Sequence, residues 1–433
     1  MHIVLMFAIF IALLLIGVPI SFSIGLSSLI MMFVEGIPLT MLITKMFGGL
    51  DSFTILAIPF YILTGAIMNN GNLTRRLVGF ADSLVGHIKG GLAHVNVLAS
   101  MFFAGISGSS TADSASIGAM LIPAMKEEGY DIKFTAAITA ASSSIGPIIP
   151  PSLMFILYSS LTGVSVAGMF FGGMLPGIAL GLLQMLYAYI VYDKVFTHKR
   201  DAAGNIEQKK FRLRNVWRAF KKAALVLVVP AIILLGITSG VFTATEAGVV
   251  SAAYSLIMCL FVFKTLRVQD IGRVMLDAAK SCGMVLFLLA TATTFGNMLT
   301  LMQFPKIVLG FLTSITDNSR ILFLIMILFY FVLGFFMDGT PILAMFAPAF
   351  HNIAVSMGFD PIWFGVTMVI AVLVGGITPP VGVLLFINAK IAKISFDEMV
   401  QGIWPFVAVM MVVVLLCWLV PPLVTFLPSV LLK

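Results

Sequence analysis

Apolar stretches long enough to cross a lipid bilayer recur from one end of this chain to the other. They lie near 3–17, 20–35, 52–70, 132–161, 167–192, 222–239, 246–264, 281–301, 361–389 and 402–420. Lipid offers no partner to a bare peptide group, so such a chain must close its backbone hydrogen bonds internally. Continuous apolar runs, as opposed to alternating ones, select helices. The expected fold is an all-α polytopic membrane protein. Only 10% of residues are charged, against roughly 25% in a soluble domain. The formal net charge of +7 gathers in loops, most densely between Lys194 and Lys222. With apolar spans on either side, that cluster reports orientation and does not suggest nucleic-acid binding. Cys259, Cys282 and Cys417 sit in apolar spans without metal or disulfide spacing and read as small core hydrophobes. The opening MHIVLMFAIF has no basic n-region and is expected to be a retained first helix.

Four places break the apolar pattern. Gly105 to Ser116 (GISGSSTADSAS) splits the region 90–125, and Gly334 to Pro341 (GFFMDGTP) splits 320–355. Arms of about 15 residues give about 22 Å of helix, short for a hydrocarbon core of roughly 30 Å. Both regions are therefore expected to be re-entrant hairpins. SSSIGPIIPPS (Ser142 to Ser152) and GGITPPVG (Gly375 to Gly382) interrupt the spans 132–161 and 361–389. Proline removes a backbone donor and glycine relaxes the helix, so each span should be two half-helices joined by an unwound crossover. Amphipathic pieces near 38–50 and 72–88 suit helices lying in the interface or bracing a scaffold.

These features repeat. Gly105, Gly129, Asp131, Pro150, Pro151, Gly173 and Pro176 match Gly334, Gly358, Asp360, Pro379, Pro380, Gly402 and Pro405, each pair 229 residues apart. Matches at one offset in one kind of context indicate duplication. The expected division is a first repeat over 1–195, a cytoplasmic basic linker over 196–221 and a second repeat over 222–433. Each repeat crosses five times around a non-crossing hairpin, ten transmembrane spans in all, and an odd number forces the second copy to be inverted. The linker region carries Lys194, Lys199, Arg200, Lys209, Lys210, Arg212, Arg214, Arg218, Lys221 and Lys222. By the positive-inside rule the 193–222 loop is cytoplasmic and both termini are periplasmic. Arg75, Arg76 and Lys89 in the 70–90 connection, and Lys264, Arg267, Arg273 and Lys280 in the 264–280 connection, then fall inside as well.

The tip residues admit a purely structural reading. Ser110-Thr111-Ala112-Asp113 fits a capping box, and Thr340 followed by Pro341 fits a helix start. Asp113 and Asp338 would then only favour positive helix ends. Glu246, three residues after Thr243, reads as a capping box in the same way. His87, His94 and His351 show no metal spacing.

The combination of breaks points further. Two tips and two broken helices in inverted repeats bring helix ends towards one midplane, where N-termini attract carboxylates and free carbonyls hold small cations. Ser107, Gly108, Ser109 and Ser110 with Ser142, Ser143, Ser144 and Gly146 form one candidate cage. Gly334, Asp338, Gly339 and Thr340 with Gly375, Gly376 and Thr378 form a second. Neutral oxygens suit a hard monovalent ion, taken to be sodium. At the 229 offset Ser107 and Ser109 become Phe336 and Asp338, and Ser142 to Ser144 become Ala371, Val372 and Leu373. Polar capacity is thus concentrated in the first repeat. An anionic, hydroxyl-bearing substrate is expected to lean there on Ser107, Ser109 and Asp113, with Asp113 meeting a hydroxyl, an amine or an ion.

In order along the chain, DSFTILAIPFYILTGAIMNNG, GSSTADSAS, IGPIIPPS, GVFTATEAG and GGITPPVG resemble the large membrane (M-type) subunit of tripartite ATP-independent periplasmic (TRAP) transporters. One departure is Ala244, where that family's segment has proline. The resemblance implies sodium-driven symport of an organic acid, with sodium as coupling ion and no other cofactor. The acid is handed over by a periplasmic binding protein, and a small four-helix membrane subunit assists. It implies an inner-membrane location and an elevator mechanism in which roughly 90–165 and 320–390 move against the remaining helices. The serine-rich first tip leans towards sialic acid, with C4-dicarboxylates or other carboxylates as alternatives. A channel is the less favoured reading, since no TVGYG-like filter occurs and inverted repeats suit alternating access. An intramembrane enzyme is disfavoured too: Ser109 stands where a G-x-S-x-G elbow needs glycine, and no histidine lies nearby in sequence.

Overall fold

The computed structural model describes residues 2–196 and 211–432. Lys199, Arg200, Lys209 and Lys210, which carried part of the orientation argument, lie outside the described residues. The first half contains α1 (His2–Leu15), α2 (Ile20–Glu35), α3 (Thr40–Leu50), α4 (Ala57–Asn70) and α5 (Thr74–Val85). It continues with α6 (Gly91–Ser107), α7 (Ser110–Glu128), α8 (Ile132–Ser143), α9 (Leu153–Thr162) and α10 (Val166–Val195). The second half contains α11 (Leu213–Thr238), α12 (Ala244–Ile257), α13 (Val268–Leu301), α14 (Phe304–Ile315) and α15 (Ser319–Gly334). It ends with α16 (Gly339–Ser356), α17 (Pro361–Gly375), α18 (Val383–Ala392), α19 (Phe396–Leu419) and α20 (Pro422–Leu431).

The hairpins are α6/α7 and α15/α16, and the broken spans are α8/α9 and α17/α18. α10, α11, α12 with its π-helical extension Met258–Val262, α13 and α19 are each long and apolar enough to cross a membrane alone. Counting α1, α2, α4 and the two broken helices as five shorter crossings makes ten. The hairpin arms, at 17, 19, 16 and 18 residues, are longer than the about 15 expected and longer than α1 and α4, so their pairing about a tip and not their length marks them as re-entrant. Val4, Leu15, Phe33, Leu182, Ile190 and Leu235 stand exposed on the outside, an apolar surface of the kind that faces lipid or another membrane helix.

A shift of 229 lays α6 to α10 over α15 to α19 almost residue for residue. The packing repeats with the roles exchanged. α7 packs on α18 while its counterpart α16 packs on α9, the counterpart of α18. In the same way α12 packs on α4 and α2 packs on α13. Two inverted repeats related by a pseudo-two-fold produce this reciprocity. The fold is the expected one: an all-helical polytopic membrane protein with two re-entrant hairpins.

Several boundaries differ from expectation. Most of the 264–280 segment, read as a connection, is helical: from Val268 it is the first part of α13, which runs unbroken for 34 residues. In the first repeat the equivalent stretch is split into α3 and α4, with Asp51–Leu56 between them. Proline in the first turn of α4 (Pro59) favours a helix start there, whereas the second repeat has Leu288. α11 begins at Leu213, so the linker drawn to residue 221 is helical at its end. α14 and α20 were not anticipated. α14 turns Ile307, Phe311 and Ile315 outward in one stripe, the pattern of a helix lying along an interface, as its counterpart α5 was expected to be. Thr243 and Glu246 form the capping box that starts α12 at Ala244.

Candidate functional site

The first tip is built by one glycine. Gly108 takes a left-handed φ of 59° and turns its N–H onto the Ala104 carbonyl at 3.3 Å, which ends α6. A Cβ there would sit 2.5 Å from the Pro151 carbonyl oxygen and 3.2 Å from the Leu153 nitrogen. Only glycine lets this tip dock against the break of the first broken helix. Ser109 then caps α7, its Oγ accepting from the Ala112 N–H at 3.5 Å.

That cap overturns the expected capping box. With Ser109 and not Ser110 as the N-cap, Asp113 lies one residue beyond the position that could reach back to the cap. Its carboxylate turns instead to the end of the other arm, where Oδ1 accepts from the Ser107 hydroxyl. Asp113 is fully buried, and its Oδ2 has no donor among the described residues. A Cβ added to Gly146 would run into this oxygen, so Asp113 faces the unwound segment of the first broken helix.

Ser142, Ser143 and Ser144 are all buried at the end of α8 and the start of that break. Ser142 Oγ accepts from Ser100 at 3.0 Å and donates within reach of Asn96 Oδ1 at 3.1 Å, which ties α8 to α6. Ser143 and Ser144 donate back to the Thr139 and Ala140 carbonyls at 2.7 and 3.2 Å. Their protons are therefore used locally, and what remains for a ligand is oxygen lone pairs.

At the second tip the glycines serve packing. A Cβ on Gly334 would lie 2.6 Å from the Val372 carbonyl oxygen and 2.7 Å from Gly375 Cα, so α15 and α17 cross in backbone contact. Asp338, not Thr340, caps α16, accepting from the Thr340 N–H at 3.3 Å. Asp338 is exposed. Thr340 Oγ1 faces the Met154 sulfur at 3.8 Å, and Gly339 is buried beside Met154 and Val372. Thr378 Oγ1 donates to the Val374 carbonyl at 2.7 Å, and the Gly376 N–H to Val372 at 2.9 Å.

The two tips meet. One cavity of about 40 Å³ is lined by Ser110 from the first, by Gly334, Asp338 and Gly339 from the second, and by Gly376 from the second break. Such a volume holds about one water-sized particle. Chemically, a buried carboxylate oxygen without a donor beside an unwound, carbonyl-rich segment suits a small hard cation.

Sequence reading missed Asn388 on α18. Its Nδ2 donates to Ser114 Oγ at 3.0 Å and to the Leu384 carbonyl at 2.8 Å, joining the second broken helix to the first hairpin. Its Oδ1 is buried with no donor among the described residues. A lone asparagine in VLLFINAKIA was the available signal. Also unforeseen is Ser116 Oγ donating to Asn69 Oδ1 at 2.7 Å, between α7 and α4.

Comparison with known proteins agrees with this architecture. The family model of the tripartite ATP-independent periplasmic transporter DctM component matches residues 7–423. The chain is 34% identical to the 2,3-diketo-L-gulonate TRAP transporter large permease protein YiaN of Escherichia coli, over 94% of this chain and 95% of that one. It is 33% identical to the sialic acid TRAP transporter large permease protein SiaM of Vibrio cholerae, over 95% of each. It is 36% identical to the C4-dicarboxylate TRAP transporter large permease protein DctM of Pseudomonas aeruginosa, over 89% of this chain and 88% of the relative. The solved structure of the Alcanivorax borkumensis YdaH transporter, with its unusual topology, shares the fold at a TM-score of 0.61 and 15% identity, covering 88% of this chain and 87% of that one. These relatives are named as permeases, and none is named as an enzyme. Membrane-spanning helices in two inverted repeats, two facing hairpin tips and a full-length match lead to one conclusion: this chain belongs to the large permease (DctM component) family of tripartite ATP-independent periplasmic transporters.

Proposed function

We propose that the chain carries out sodium-coupled uptake of a small organic acid by an elevator displacement of roughly 90–165 and 320–390 against the other helices. The observation that carries this reading is Asp113, fully buried with Oδ2 unpartnered against Gly146. An uncompensated carboxylate there is costly, and a bound cation removes the cost. Sodium beside Asp113 would draw on Ser107, Gly108, Ser109 and Ser110, and on Ser142, Ser143, Ser144 and Gly146. The second cage would use Gly334, Asp338, Gly339, Thr340, Gly375, Gly376 and Thr378. Coupling then has a simple electrostatic origin: with Asp113 neutralised, an anionic acid no longer meets a bare negative charge at the first tip. At about 40 Å³ the cavity between the tips is too small for a sialic acid or C4-dicarboxylate molecule, so entry of such a substrate separates them.

The best-fitting substrate is a hydroxylated acid such as sialic acid, held by Ser107 and Ser109 with Asp113 accepting from a hydroxyl. A C4-dicarboxylate is the alternative. The acid is delivered by a periplasmic binding protein, a small four-helix membrane subunit completes the transporter in the inner membrane, and the 193–222 loop faces the cytoplasm. The test is uptake into proteoliposomes holding this chain and its small subunit, with the binding protein outside. Uptake should follow an inward sodium gradient, and full uptake with potassium in place of sodium overturns the proposal. A thermal-shift screen of the cognate binding protein against sialic acid and dicarboxylates decides the substrate.

A further inference from the structure

A second polar site lies away from the tips, in a cleft between α5, α11 and the link that leads into α13. Its volume is about 800 Å³, and its walls carry Arg75 and Arg76 from α5 with Arg218 and Lys222 from α11. Asn72 and Asn215 add polar groups, and no carboxylate lines it among the described residues. Arg76 is held in place, its guanidinium 4.1 Å from the centre of the Phe263 ring and its Nη1 donating to the Lys222 carbonyl at 3.4 Å. Arg75, Arg218 and Lys222 are exposed and free to turn to a ligand. Four cations around one cleft repel one another, and an anion with several acceptor oxygens relieves this.

The surroundings say which anion. Trp217 and Phe220 stack beside the cleft with centroids 5.6 Å apart, and Lys221 reaches over the Trp217 ring at 5.4 Å. Exposed aromatic and basic residues at one level mark the membrane–water boundary. From there α11 continues as an apolar helix of which little is covered by protein, with Leu225 and Leu235 exposed. A cationic cleft at headgroup depth that opens onto an uncovered apolar face fits a molecule with a phosphate at one end and acyl chains at the other. We propose that the cleft of Arg75, Arg76, Arg218 and Lys222 binds the phosphate of an anionic phospholipid, which clamps α5 of the first repeat to α11 of the second.

Native mass spectrometry of the purified chain with its small subunit tests this, with phosphatidylglycerol and phosphatidylethanolamine as probes. Phosphatidylglycerol should stay bound where phosphatidylethanolamine dissociates. The double variant Arg75→Gln/Arg218→Gln should bind phosphatidylglycerol about thirtyfold more weakly. The charge-keeping Arg75→Lys/Arg218→Lys should retain most of the affinity, which separates loss of the site from loss of the fold. Equal retention of the two lipids, or full retention of phosphatidylglycerol by the glutamine variant, overturns the proposal. So does displacement of phosphatidylglycerol by inorganic phosphate, which would make a soluble anion the ligand.

Discussion

At the first hairpin tip, Ser107 and Ser109 stand where the second tip has Phe336 and Asp338, and the buried Asp113 stands where the second has Ile342. The backbones match, hairpin for hairpin. The chemistry does not. In the first tip a glycine permits docking onto the neighbouring break, and the one buried carboxylate is left half-satisfied. In the second the glycines allow two helices to touch, and the carboxylate is an exposed cap. Duplication supplied two equivalent frames, and of the two tips only the first holds a buried carboxylate oxygen without a donor among the described residues. A two-fold scaffold can thus carry an asymmetric site without breaking its packing.

The sharpest way to break this comparison is to neutralise each carboxylate in turn. Asp113→Asn should cut sodium-driven uptake by about a hundredfold, the effect of losing one partner of a buried charged site at about 3 kcal/mol. Initial rates in proteoliposomes check this, and Asp338→Asn should cost clearly less, because that carboxylate is exposed and asparagine keeps both the cap and a side-chain oxygen for the second cage. Equal losses in the two variants would end the argument that the tips differ.

The glycines come next. Gly334→Ala forces a methyl against the Val372 carbonyl and Gly375, and should lower stability by about 1–3 kcal/mol, seen as a reduced melting temperature in detergent. Gly146→Ala places its methyl against Asp113. Here the expected loss is of the thermal stabilisation that added sodium gives. If both variants only lowered the basal melting temperature, Gly146 would be a packing glycine like Gly334.

Smaller effects separate ligand from cap. Ser107→Ala removes the donor to Asp113 Oδ1 and should weaken sodium-dependent uptake about tenfold, as for a hydrogen bond to a charged group. Asp338→Ala should cost about 1 kcal/mol of stability as a lost N-cap, with Asp338→Asn close to neutral because asparagine caps as well. A larger transport defect in Asp338→Asn than in Ser107→Ala would reverse the order of the two tips.

Much of the fold was legible because lipid is a severe solvent. Apolar runs located the spans, and glycine and proline located the breaks at 142–152 and 375–382. The common offset joined the halves. Short elements were lost, α14 and α20 among them, and α13 takes in residues 268–280 of the basic segment because nothing there stops a helix. In the site, residue types were readable but register was not. Ser110 and Asp113 have the spacing of a capping box, yet the left-handed turn at Gly108 makes Ser109 the cap and frees Asp113 for Ser107.

The sequence by itself determined that this chain is helical, membrane-spanning and duplicated, and which residue types sit at each tip. Hydrophobic length and backbone satisfaction leave little choice in those matters. Tertiary structure alone decided that Asp113 faces Gly146, that Gly334 lies on Gly375, and that Asn388 reaches Ser114 across the repeats. Those contacts join residues far apart in the chain, and they depend on how closely two backbones approach, which no local pattern of residues encodes.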